Sequence, residues 1–318
     1  MLSRVADSLY WMSRYLERAE HSARLIAVKL ESMIEQTQED SEASWLRVIA
    51  ALSGEELAPA SADAFAVTRA LAFEPANPSS LVASVRQARD NARQVREQIS
   101  TEMWEHLNRL YLRLAPVKTE SVWVHQPARL FRDVVDDINL FEGITFSTMR
   151  HGEGWHFIAL GRYIERAQLV SRLLDLHFGT MPSGIAERTP PPKYFDWIVL
   201  LKFCTAFEAY TKVYTANVVP SRIAEFLLFD AEFPHAARFA VDRIQEALSH
   251  VAPVAPPARR AACERLAGRL KANFDYGQID ELAAGDLDRF LAGIVRQCEG
   301  IHEAVYAAYI AYGAETVL

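Results

Sequence analysis

Cysteine is scarce in this 318-residue chain: Cys204, Cys263 and Cys298 are odd in number, widely spaced and never in a C-x-x-C pair. Neither a disulfide framework nor a cysteine zinc site is suggested, and a reducing cytoplasmic setting is expected. Long apolar runs are missing too. Stretches such as Trp197 to Leu201 fall far short of the roughly 20 residues a membrane span requires, so no membrane contact is expected. There is no excess of positive charge: a net charge of -7 argues against a chain whose task is neutralising phosphate backbones, and nucleic acid is not an expected partner. The opening Met1-Leu2-Ser3-Arg4-Val5-Ala6-Asp7 has no basic region feeding an apolar stretch and does not read as a secretory signal. H-E-x-x-H, G-x-S-x-G, Walker and G-x-G-x-x-G patterns are all absent, which removes the common zinc-protease, hydrolase and nucleotide fingerprints.

What the chain does have is a hydrophobic content of 50%, enough to bury a sizeable core. Apolar residues recur at helical spacing almost throughout and period-2 alternation is nearly missing, so the expected class is all-α. The first helix is expected from Ser3, as N-cap, to about Glu35, with Val5, Leu9, Met12, Leu16, Ala19, Ala23, Ile26 and Leu30 on one stripe. Short helices follow near Glu42–Ser53 and Ala62–Phe73. Asn77-Pro78-Ser79-Ser80 supplies a cap for Leu81 to Gln98, and Ser100-Thr101-Glu102 restarts a helix to about Leu114. Further helices are expected at Pro127–Phe141, ended by Gly143, then Trp155–His177, Phe195–Thr215, Pro220–Phe229, Pro234–His250, Pro257–Phe274 and Leu287–Tyr312. The Gly179–Tyr194 stretch, with Pro190-Pro191-Pro192, reads as the longest loop, and Ala252–Pro257 as a separator.

One short word occurs twice. Ser13-Arg14-Tyr15-Leu16-Glu17-Arg18-Ala19 and Gly161-Arg162-Tyr163-Ile164-Glu165-Arg166-Ala167 align at an offset that also sets Arg24-Leu25 over Arg172-Leu173. This looks like an internal duplication with halves of about 1–148 and 149–318. The expectation is a single compact multi-helix bundle, residues 1–318, with pseudo-twofold symmetry and no flexible linker between halves.

At about 100° per residue, Arg14, Glu17, Glu20, His21 and Arg24 share one arc of the first helix, apart from its apolar stripe. Arg162, Glu165 and Arg172 repeat the arc in the second copy. One reading makes these solvated ion pairs such as Glu20–Arg24, worth a few tenths of a kcal/mol each. The other has both glutamates and both leading arginines converging on a shared interior site. Duplication favours the second, since a solvated face has no reason to keep the same residues twice.

Arg86, Arg89, Arg93 and Arg96 form a basic ridge beside the apolar stripe of the helix after Ser80. It reads either as a boundary row with buried stems or as a receiver of an anion. Glu208 lies in a strongly apolar helix and is expected to meet an arginine, one of the ridge among the choices. Trp104, Glu105 and Asn108 read as cap or core residues. Glu17 and His21 could share a metal, but Leu169 stands where a second histidine is needed, so no metal site is expected.

At these residues the chain resembles the bacterial Alpha-E family. The resemblance rests on Leu2 through His21, Asn77-Pro78-Ser79-Ser80, Ala88 through Arg93, Met103-Trp104-Glu105 with Leu107-Asn108, Gly161 through Ala167, and Ala224 through Leu228 leading to Glu232-Phe233-Pro234. Ser13 stands where the family pattern commonly has glycine, as Gly161 does in the second copy. The resemblance implies an all-helical domain that accompanies circularly permuted ATP-grasp ligases, with a transglutaminase-like protein as a further companion, and a theme of amide or peptide bond formation.

The expected function is therefore that of a helical partner of an ATP-grasp amidoligase. ATP and magnesium would belong to the ligase and no cofactor to this chain. The candidate substrate-binding residues are Arg14, Arg18, Arg24, Arg89, Arg93, Arg96, Arg162, Arg166, Arg172 and Glu208. A stand-alone enzyme acting on an amide or ester, with Glu17 or Glu165 as general base, is the alternative. A scaffold whose charges are only internal ion pairs is the third reading.

Overall fold

The computed structural model describes residues 2–33, 38–53, 63–124, 126–179, 192–215, 217–251, 257–279, 282 and 286–310. Its elements in chain order are α1 (Ser3–Ser32), α2 (Gln38–Ser53), α3 (Ala64–Thr68), a wide π-turn (Arg69–Phe73), α4 (Leu81–Gln94), α5 (Thr101–Leu114), α6 (Thr119–Trp123) and α7 (Pro127–Thr148). There follow α8 (Glu153–Phe178), α9 (Tyr194–Phe203), α10 (Phe207–Tyr214), α11 (Pro220–Phe229), α12 (Ala237–Val251), α13 (Pro257–Tyr276), α14 (Asp286–Val305) and a second π-turn (Tyr306–Ile310). No strand occurs among the described residues, and no helix among them is long and apolar enough to cross a membrane.

Helices α1 and α8 lie against each other at the centre. Around them, α4 and α7 pack on α1 while α12 and α14 pack on α8. The expected stripe of α1, from Val5 through Leu9, Met12, Leu16, Ala19 and Ala23 to Ile26, is buried. So is its polar arc. Ser13, Arg14, Glu17, Glu20, His21 and Arg24 are each at most 6% exposed, so the solvated-face reading of this arc does not hold. Helix α8 is likewise enclosed from His156 to Gly161 and from Ile164 to Ser171. Charges buried along these stretches have no solvent to turn to, which forces them to find partners inside.

Local chemistry explains most boundaries. Ser80 accepts a bond from the Ala83 amide at 3.4 Å, and Ser100 accepts one from the Met103 amide at 3.2 Å, as expected of capping serines. Ser3 is not a cap: the extended Leu2 precedes α1, with no side-chain cap. Helix α4 stops at Gln94 instead of Gln98, and Val95 to Gln98 continue as turns. Gly143 does not end α7, which continues to Thr148. The glycine is exposed, and its cost of roughly 1 kcal/mol in a helix is offset by burial of Phe141 and Thr145 on the inner face.

The expected helix Phe195–Thr215 is two helices. Thr205, at φ 51, lies in the left-handed region between α9 and α10 and breaks the run after Phe203. Helix α12 begins at Ala237, three residues after the Pro234 expected to open it. The end of the first helix beyond Met33, the loop over residues 180–191 and the separator over residues 252–256 lie outside the described residues.

Candidate functional site

Two small residues let the central helices approach. The Ser13 hydroxyl donates to the Ile158 carbonyl at 2.6 Å, and a Cβ on Gly161 would overlap the Tyr10 carbonyl oxygen and the Ser13 hydroxyl. Glycine in one word and serine in the other thus mark a point of close backbone contact. One turn further on, the side chains of each word cross to the other helix.

The Arg166 guanidinium forks the Glu17 carboxylate, with Nε to Oε1 at 2.5 Å and Nη2 to Oε2 at 2.8 Å. In the reverse direction Arg18 Nε donates to Glu165 Oε1 at 2.7 Å, while Arg14 Nε donates to Glu165 Oε2 at 2.7 Å. Each glutamate is therefore held by the arginine that follows the other glutamate in sequence. Burial alone would raise the Glu165 carboxyl, but Arg14 and Arg18 outweigh it and hold the group down at about 2. Charge-assisted bonds of this kind repay the loss of water only because the geometry fills both carboxylate oxygens.

The two words are not fully equivalent. Arg14 also donates to Gln168 at 3.0 Å and to the Tyr10 hydroxyl at 3.3 Å. Its counterpart Arg162 turns away to Glu142 of α7 at 3.0 Å instead of joining Glu17. Arg24 pairs with Glu20 of its own helix at 2.5 Å, buried, whereas Arg172 is 47% exposed and only loosely faces Glu299 at 3.8 Å.

On one flank of the crossing the polar groups are sealed. Burial pushes the Glu20 carboxyl up to about 7 against the pull of Arg24, and drives His21 and His235 well down, with Arg24 and Arg166 adding to the effect. Neutral His235 presents Nε2 to Arg24 Nη1 at 3.5 Å. Among the described residues, Glu20 Oε2, His21 Nε2 and Arg24 Nε have no hydrogen-bond partner. Glu17, considered with His21 as a metal-ligand pair, has its carboxylate occupied by Arg166.

The other flank opens into a cavity of about 830 Å³, lined by Arg14 and Arg18 of the first word, Glu165 of the second and Arg172 further along α8. That size falls in the range of small-molecule pockets. Asn77 to Ser79 and the end of α2 close one wall, and Glu299 and His302 of α14 close another. His302 Nδ1 lies 2.8 Å from the Tyr10 hydroxyl. Burial, then Arg14, lowers the imidazole to about 4, and burial raises the Tyr10 hydroxyl to about 12, so both are neutral near pH 7. Tyr10 accepts from Arg14 and keeps its own proton, which in one tautomer of the pair is donated to His302 Nδ1. In that tautomer Nε2 carries the hydrogen and is a donor; in the other, Nδ1–H donates to Tyr10 and Nε2 is an acceptor.

The remaining candidates lie elsewhere. Arg89 donates to Asn108 at 2.8 Å and sits over the Tyr111 ring at 4.8 Å; Arg96 stacks on Trp104 at 4.8 Å. Arg93 is 61% exposed beside Asp90. The ridge therefore borders α5 and does not meet the glutamates of the repeated word. Glu208 is exposed at the start of α10, not buried, because the break at Thr205 turns this segment outward; it needs no arginine. The sequence reading passed over Gln168, Glu142, Glu299 and His302. Gln168 was within reach, as the residue aligned with Glu20. The other three lie on α7 and α14, whose placement beside the words is a tertiary fact.

A family model described as a predicted alpha-helical domain with a conserved ER motif matches residues 1–310. Of the adjacent Glu-Arg pairs in this chain, those at 17–18 and 165–166 lie in the repeated word, and these four residues exchange ion pairs with one another. Among curated proteins, uncharacterized protein Mb2597 of Mycobacterium bovis and uncharacterized protein Rv2567 of Mycobacterium tuberculosis are each 25% identical to the chain over 328 aligned positions. The match takes in 95% of this chain and 35% of each relative, so the chain spans about a third of their length. No solved structure matches.

Proposed function

The matching family is Alpha-E, to which this chain belongs, and on that premise we propose that it serves as the helical partner of a circularly permuted ATP-grasp ligase that forms amide or peptide bonds. Its part is to hold an anionic substrate or intermediate; ATP and magnesium belong to the ligase. The observation that carries this reading is the cavity of about 830 Å³ beside the crossed words, walled by the guanidinium groups of Arg14 and Arg18 from α1 and of Arg172 from α8. In the relatives, about two thirds of the polypeptide lies outside the matched segment, which suits a domain that works beside another. A transglutaminase-like protein is a second proposed companion. We also propose that the reciprocal exchange reflects a duplicated helical unit folded about a pseudo-twofold.

The general-base alternative draws little from the geometry. Glu165 has both oxygens engaged by arginines and sits at about 2, a poor position from which to accept a proton near pH 7. Glu17 is forked by Arg166. The scaffold reading accounts for this network but leaves the open flank without a use.

The test is reconstitution with the ATP-grasp protein of the same host. Product formation is expected to fall at least tenfold with Arg172→Ala, which removes a half-exposed cavity arginine, and to stay unchanged with Arg93→Ala on the distant ridge. Equal product from both variants and wild type, or failure of the two proteins to associate, sinks the proposal.

A further inference from the structure

The charges around the cavity do not cancel. Glu165 is shared by Arg14 and Arg18, which leaves one positive charge over, while Arg172 and Glu299 balance each other. An occupant with a single net negative charge is therefore favoured. The Arg172–Glu299 contact is the unusual part. At 3.8 Å, with side chains 47% and 53% exposed, it is too long for a hydrogen bond and is solvated on both sides. A cation and an anion held side by side but not joined match a ligand whose own carboxylate and ammonium groups are borne on one carbon.

Resting on the cavity reading above, we infer that this cavity binds a free α-amino acid with an acidic side chain. Arg172 takes its α-carboxylate, Glu299 its ammonium group, and Arg18 its side-chain carboxylate. Such a ligand carries the one net negative charge that the lining calls for. Arg18 commits Nε to Glu165, and its terminal guanidinium nitrogens make no hydrogen bond among the described residues, so they remain for a second carboxylate. Glu165, which fixes Arg18, lies seven residues before Arg172 on α8, about 10 Å of helix rise. A short acidic side chain spans that gap together with the reach of two arginines. His302 lines the same wall with Nδ1 occupied by Tyr10, and its Nε2 donates to a carboxylate in the tautomer where Tyr10 gives its proton to Nδ1.

Calorimetric titration of the intact chain with L-glutamate, L-glutamine and N-acetyl-L-glutamate tests this. L-glutamate is expected to bind at least tenfold more tightly than the other two. Glu299→Gln is expected to weaken L-glutamate about tenfold and leave N-acetyl-L-glutamate unchanged, while Arg172→Gln weakens both. These half-exposed positions are not expected to perturb folding, and circular dichroism melts of each variant verify that. Equal affinity for L-glutamate and its N-acetyl derivative overturns the ammonium assignment. Equal affinity for glutamate and glutamine overturns the role of Arg18. Absence of saturable binding by all three overturns the ligand class, while the reconstituted ligase assay separately decides the partner reading.

Discussion

Arg166 holds Glu17 in a two-pronged grip across 149 positions of sequence, at 2.5 and 2.8 Å, with both side chains at most 8% exposed. The pair is a bolt between the two central helices. Removing either partner leaves a buried, unmatched charge, which typically costs about 3–5 kcal/mol. Arg166→Ala and Glu17→Ala are each expected to lower stability by that order, and the double variant to lose less than their sum. Urea unfolding of the four-member cycle measures the coupling; strictly additive losses contradict the bolt.

Glu165 makes stability pH-dependent on the acid side. Its carboxyl lies at about 2 in the folded chain against an ordinary 4.5, so between those values the unfolded chain binds more protons. The contribution is complete above about 4.5 and is lost as pH falls toward about 2, on the order of 3 kcal/mol in all. Urea midpoints from pH 6 to pH 3 are expected to fall less steeply for Glu165→Gln than for wild type. Parallel slopes contradict the assignment.

Glu20 acts with the opposite sign. Burial raises its folded-state carboxyl to about 7, so the folded chain binds the extra proton, and stability is lost as pH rises from about 4.5 to about 7. Glu20→Gln keeps an acceptor for Arg24 and removes the buried charge. It is expected to gain stability relative to wild type at pH 8 compared with pH 5, as read from melting temperatures at the two pH values. A gap between variant and wild type that does not change with pH refutes this.

Gly161 sets the approach of α1 and α8. A methyl group there meets the Tyr10 carbonyl, a backbone atom that cannot swing aside. Gly161→Ala is expected to cost about 1–3 kcal/mol, the usual range for overpacking, despite the better helix propensity of alanine. A thermal melt unchanged from wild type runs against so close a crossing.

On the ridge, Arg89 and Arg93 differ. Arg89 is stacked on Tyr111 and bonded to Asn108, whereas Arg93 projects into solvent. Arg89→Ala is expected to lose about 1–2 kcal/mol through packing and one charged hydrogen bond, and Arg93→Ala less than about 0.5 kcal/mol. Chemical denaturation of the two variants distinguishes them, and equal losses count against the stacking.

Helix class, most helix positions and the repeated word were legible in the sequence because they depend on spacing along the chain. The capping serines Ser80 and Ser100 act where composition placed them. Less legible was where regularity fails. Gly143 is carried through by its buried neighbours, and Thr205 interrupts an apolar run that no proline or glycine marks. Glu208 was misjudged for that reason: its neighbours are apolar, but the break turns it to solvent.

By itself the sequence determined that arginines and glutamates recur at matching positions on two helices, since periodicity and residue order are local properties. Which arginine meets which glutamate was settled only by the tertiary structure. The answer depends on the crossing of α1 and α8 at Ser13 and Gly161 and on the helices that enclose them. Enclosure removes water from charged groups and makes partners obligatory, and no one-dimensional pattern carries that information. Folding alone also brought Glu299 and His302 of α14 to the wall of the cavity.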